Sequence, residues 1–290
     1  MSEGVVFDLG YAKHEGERLG RRGAWWALLR DGLRRILGLR RRARRKVLPI
    51  VLLSIALLPA AFFVAFGVVV GELDVEAELF GHGLYFDLTG AVALVFVALA
   101  TAEALVPDRQ YGTLQVYASR PLTTTDYLLG RVTAVSIMVM GFMWLPHVVL
   151  FIGRAWVSSD GFVAYAGDNW PVLWETAAAS LGYLVAFVSP AMLIGAFAAR
   201  PAVAAGGLVG VITVSGPATA ALVDADAFTP IGLLALQHNP GYVKDWILGS
   251  NSHSWIPERA GYDPAASLAV IVIIAVVCWV GLTARYRRLR

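Results

Sequence analysis

Six long apolar runs constrain this chain more than any other feature. They extend approximately from Val47 to Val70, Leu88 to Val106, Tyr127 to Gly153, Val172 to Ala199, Ala202 to Val223 and Ala266 to Thr283. A bilayer core about 30 Å thick needs roughly 20 apolar residues in a helix, at about 1.5 Å rise each. The runs therefore predict an all-α polytopic membrane protein with six transmembrane helices. Composition agrees, since 58% of the residues are hydrophobic and 16% are charged, against about 25% charged in an ordinary soluble domain.

Orientation follows from the basic residues, because positive charge is retained on the cytoplasmic side. Thirteen Lys and Arg lie in the segment through Lys46, three at Arg109, Arg120 and Arg131, one at Arg200 and four in the C-terminal tail, so one side holds 21 of the 24. Arg154, Lys244 and Arg259 are left for the other side, with Glu72, Asp74, Glu76, Glu78, Asp87, Asp224 and Asp226. This partition places both termini in the cytoplasm, with a cytoplasmic and interfacial entry segment at 1–46 and the six-helix transmembrane domain at 47–290. The basic segment is too long, and the apolar run after it too extended, for a cleavable signal peptide, so an uncleaved first helix is expected.

Within the entry segment Trp26, Leu29, Leu33, Ile36 and Leu37 recur at three- and four-residue steps, with Arg30, Arg34, Arg35, Arg41 and Arg42 largely elsewhere on the wheel. Such a pattern suits a helix lying in the membrane interface, a helix docked on protein, or both, since such a helix can touch lipid and protein together. A basic end beside a spanning run faces anionic lipid rather than nucleic acid. In the fifth run Gly206 and Gly210 have GxxxG spacing, which permits close helix packing within the protomer or across a dimer. Pro59, Pro146, Pro190 and Pro217 predict kinks. The outer loop 224–264 is too apolar for a solvated linker. Thr229 and Pro230 start a short helix from Ile231 to His238, Asn239, Pro240 and Gly241 end it, and Tyr242 to Leu248, with Trp246, forms a second, giving an outer helical pair at the interface before the sixth span.

No catalytic constellation stands out. Lys13, Lys46 and Lys244 each follow a residue other than glycine, so the chain lacks a P-loop, and any ATP must be bound by another chain. Nucleophile-elbow and HExxH motifs are missing too. Cys278 is the sole cysteine, and the five histidines show no i, i+4 pair, so no metal site is expected. Glu103 and Arg131 stand one to two turns inside the same boundary on consecutive spans, and an intramembrane ion pair between them would offset the cost of burying either charge.

The turn between the second and third spans reads DRQYGTLQVYASRPLTTTDYLLGR from Asp108 to Arg131. Asp108 can cap a short amphipathic helix through Tyr117, Ser119 to Pro121 breaks it, and Thr123 to Thr125 can cap the third span. Asp108 with Arg109, Gly112 to Leu114, Arg120 with Pro121, and Tyr127 to Arg131 resemble the corresponding stretch in permease subunits of bacterial type 2 ABC exporters. Arg131 stands where many members have Lys. The segment YAKHEGERLGRRGAWWALLRDGLRR is similar to the entry of actinobacterial members.

The resemblance implies a multi-pass protein of the inner, cytoplasmic membrane, working by alternating access as a permease homodimer or heterodimer. It implies two cytoplasmic ABC ATPase subunits that bind ATP and Mg, and an ATPase-coupling element at Asp108, Arg109, Tyr111, Gly112, Leu114, Arg120 and Pro121. A membrane-embedded structural or receptor-like subunit is the alternative from another class.

Overall fold

The computed structural model describes residues 19–39, 44–71, 81–225 and 229–288. The entry motif upstream of Leu19, Arg41 and Arg42, and the acidic residues Glu72, Asp74, Glu76, Glu78 and Asp226 lie outside them. The described residues are helical, with no strand among them. Helix α1 spans Gly20–Ile36, α2 Arg44–Gly71, α3 His82–Gln110, α4 Leu114–Ala118, α5 Thr124–Val157, α6 Phe162–Asn169, α7 Pro171–Phe197 and α8 Pro201–Asp224. A 3-10 turn at Thr229–Leu234, α9 at His238–Leu248, α10 at Trp255–Ala260 and α11 at Pro264–Arg287 complete the order.

Among these, α3, α5, α7, α8 and α11 are each long and apolar enough to cross a bilayer, the make-up of a multi-pass membrane protein. In α2 the apolar stretch among the described side chains is Ile50–Phe66. Local chemistry sets the ends. Thr123 and Asp126 form a reciprocal capping box at the start of α5, satisfying donors that the first turn leaves free. Helices α7, α8 and α11 open on Pro171, Pro201 and Pro264, where the missing N–H costs nothing. Pro146, Pro190 and Pro217 lie inside continuous helices.

Helices α3 and α7 are central and bury more than half of their most apolar window, whereas α8 and α11 bury less than a third. Phe96 of α3 stacks on Phe142 of α5 at 4.2 Å between ring centroids, and Phe86 of α3 stacks on Tyr183 of α7. The Tyr85 hydroxyl donates to the Ala56 carbonyl, tying α3 to α2. One end of the bundle, the basic end, gathers α1, α4, the C-terminal ends of α3, α7 and α11 and the N-terminal ends of α5 and α8. The opposite end carries α6, the 3-10 turn, α9 and α10.

Several expectations need correcting. Leu29 and Ile36 of α1 are buried against protein, Leu33 is half-buried, and Trp26 is exposed. The apolar face of α1 thus docks on the bundle through Leu28, Leu29, Gly32 and Ile36. Gly32 permits the close approach, since a Cβ there would stand 2.7 Å from the Ala134 Cβ of α5. Gly206 and Gly210 face outward with nothing within 4 Å of a Cβ at either, while Ala204, Ala205, Leu208 and Ile212 pack inward. Close packing within the protomer is therefore not what that spacing serves. Asn239, Pro240 and Gly241 begin α9 rather than ending a helix, because proline is tolerated in a first turn whose N–H groups lack intrahelical acceptors. Helices α6 and α10 are additional to the sequence expectation.

Candidate functional site

The turn between α3 and α5 is built differently from the sequence expectation. Helix α3 continues through Asp108 to Gln110, and α4 is five residues long, capped at Thr113 without a side-chain bond. Gly112 lies in the left-handed region at φ +64°. Its N–H bonds to the Arg109 carbonyl, and the next N–H, of Thr113, bonds to the Asp108 carbonyl. This pairing is the Schellman closure of a helix end, which favours glycine. Gly112 is thus required by the α3 terminus, and nothing lies within 4 Å of a Cβ placed there.

Asp108 is the hub of the basic end. Its side chain is fully buried, and it accepts hydrogen bonds from Arg35 Nη1 at 2.6 Å, Arg131 Nη2 at 2.7 Å, the Tyr127 hydroxyl at 2.8 Å and the Thr113 hydroxyl at 3.0 Å. Arg131 is equally buried and also reaches Asp31 at 3.0 Å. The Tyr117 hydroxyl accepts from both Arg35 and Arg131. Two carboxylates and two guanidinium groups balance in charge, as buried ions require, while Arg131 Nη1 is buried with no hydrogen-bond partner among the described residues. Burial disfavours the charge on Arg35, but Asp108 and then Asp31 outweigh it and hold the guanidinium above its ordinary value.

Among the described residues the carboxylates that pair with Arg131 are Asp108 and Asp31, where Glu103 was expected. The reason is angular. Glu103 precedes Asp108 by five residues, which turns it about 140° around α3, and the face that meets Arg131 is that of Asp108. Asp108 also does not cap α4, because its carboxylate is consumed by four other side chains.

Arg109 turns inward too. Its guanidinium donates to the carbonyls of Gly195, Ala196 and Ala198, and Gln110 donates to Ala199. These are the free carbonyls at the end of α7, where a cation is electrostatically favoured. Of the predicted turn residues, Asp108 and Arg109 lock the turn to the bundle, and Leu114 is half-buried against the core. Tyr111, Gly112, Arg120 and Pro121 are exposed, as is Val116. Clefts of 350 and 410 Å³ open on either side of this turn against α1; Tyr111 and Thr113 line the first, Val116 and Arg120 the second, and Asp31 both.

A second polar cluster was not anticipated. At the opposite end Lys244 of α9 is fully buried and bonds Asp245 at 2.6 Å and Asp87 of α3 at 2.8 Å. Ser250 and the His253 N–H also donate to Asp245. Burial raises the Asp245 pKa, but His253, Lys244 and Ser250 outweigh it and hold the carboxyl well below the usual range. The adjacent Lys-Asp pair in an apolar loop was the available signal. The fold also brings together histidines distant in sequence, His82 and His147 with Nδ1 atoms 3.0 Å apart, and His238 beside His253. Among the described residues no group of three or more His, Cys, Asp or Glu is placed to hold a metal ion.

Neither a protein-family model nor a curated protein matches this chain.

Proposed function

We propose that the chain is the permease subunit of an ATP-driven exporter, powered by a separate cytoplasmic ATPase that binds ATP and Mg. The observation that supports this reading best is the construction of the α3–α4–α5 turn. It offers an exposed surface of Tyr111, Val116, Arg120 and Pro121, yet its base is fixed to the bundle at two points. A load on α4 passes through Asp108 and Arg131 to α5 and α1, and through Arg109 and Gln110 to the corner between α7 and α8. A solvated loop needs no such double attachment. Such a turn suits a chain that receives work from a partner.

In this reading α2 also spans, as the first of six crossings, the basic end and both termini are cytoplasmic, and two permeases form the pathway. The partner ATPase seats on α4 and the clefts against α1. Affinity purification from native membrane should bring down an ATPase chain in equal amount. Arg120→Glu should leave the permease inserted and folded, because the side chain lies at the surface, while ATPase association falls. Purification of the wild-type chain without any ATPase, or unchanged association in the variant, would overturn the assignment.

A further inference from the structure

The connection between α5 and α7 carries apolar surface that none of the described residues covers. None of the residues of α6 is buried. Val163 is 83% exposed, Trp156 81% and Trp170 54%, with Phe162 also open. These residues continue an existing surface. Leu145, Val149, Ile152 and Trp156 follow one another at helical spacing, all exposed, so the outer stripe of α5 runs into Trp156. Trp156 then meets Phe162 edge-on at 6.4 Å. Tyr165, on the inner side, holds α6 to the bundle through Phe151, and Gly161 at φ +84° makes the turn that places it there.

The level along α5 can be worked out. The buried charge cluster of Asp108 and Arg131 is taken as the level where the hydrocarbon begins, one to two turns deeper than the sequence suggested; about 20 residues of helix from Arg131 then cover the 30 Å thickness and reach Phe151. Trp156 stands about 7 Å further on, within the interfacial layer, which is roughly 5–8 Å deep on each side. Indole rings favour that layer. The charges in this stretch are Arg154 against Asp160, Asp168 and Glu175, a negative excess that gives no attraction to anionic headgroups.

We propose that α6, with Trp156 and Trp170, is an interfacial anchor seated among the phospholipids of the leaflet opposite the basic end. It is held by aromatic and aliphatic burial and not by charge. Val163 points toward lipid, and Asp168, five residues on and about 140° away around the helix, points toward water. The anchor pins the α5–α7 connection to the bilayer.

The test uses the full-length chain with Cys278→Ala, reconstituted in phosphatidylcholine vesicles with and without phosphatidylglycerol. Nitroxide labels are placed singly at Phe162, Val163, Asp168 and Ser159, and collision rates with oxygen and with a water-soluble nickel chelate are compared. Phe162 and Val163 should collide several-fold more with oxygen than with nickel, Asp168 and Ser159 the reverse, with no dependence on phosphatidylglycerol or salt. Nickel access at Phe162 and Val163 equal to that at Ser159 would place α6 in water and overturn the proposal. Exclusion of both reagents at the two sites would mean a protein cover and overturn it equally. Protection that appears only with phosphatidylglycerol would overturn the charge-independent mode.

Discussion

Replacing Asp108 with asparagine removes the charge on which the basic end is organised while keeping its volume. Arg131 then remains with no solvent-exposed side-chain surface, and Tyr127, Thr113 and Arg35 donate toward an amide that is half donor itself. Removing one member of a buried ion pair costs about 3–5 kcal/mol, because the other charge is left uncompensated. Asp31 stays 3.0 Å from Arg131, but its side chain is 42% exposed, so it recovers at most about 1 kcal/mol. The net loss is about 3 kcal/mol, and for a chain of this size that lowers the unfolding midpoint by roughly 6–12 °C. Detergent-solubilised Asp108→Asn, Arg131→Gln and the double variant are to be compared by thermal unfolding. The double variant should lose less than the sum of the singles by at least about 1.5 kcal/mol. Glu103→Gln combined with Arg131→Gln should be additive within about 0.5 kcal/mol. Additive losses for Asp108 and Arg131, or coupling between Glu103 and Arg131, would refute the assigned pairing.

Gly112→Ala should lower stability by about 1–2 kcal/mol through left-handed strain alone, read as a midpoint shift of a few degrees without loss of membrane insertion. Arg109→Gln withdraws a charged donor from three carbonyls at the end of α7, at a cost of about 1.5–3 kcal/mol, and limited proteolysis should then cut between α7 and α8 faster than in the wild type. Asp245 gives a pH dependence: its carboxyl is depressed in the folded protein, so its stabilisation is complete above the unfolded value of about 3.9 and fades as pH falls below that. Thermal midpoints of the wild type should drop more steeply than those of Asp245→Asn between about pH 5 and pH 2. Parallel curves would show that the cluster does not hold that carboxylate.

The sequence alone determined where the long helices run, since bilayer thickness converts directly into the length of an apolar run. The runs at 88–106, 127–153, 172–199, 202–223 and 266–283 each fall largely within a helix long and apolar enough to span. It also held the cap at Thr123, because a capping box is a contact across three residues. The amphipathic pattern of α1 was legible, but its partner was not, since periodicity names a face and not what covers it. Which charges meet was decided only by tertiary structure. Glu103 and Asp108 are equally plausible partners for Arg131 on a linear map, and the phase of α3 against α5 selects Asp108. Arg109 reaches carbonyls nearly ninety residues away, and Lys244 of α9 reaches Asp87 of α3 across a still longer separation. Contacts of that span depend on how rigid helices cross, and the geometry of a crossing is a property of the packed bundle and not of any one segment.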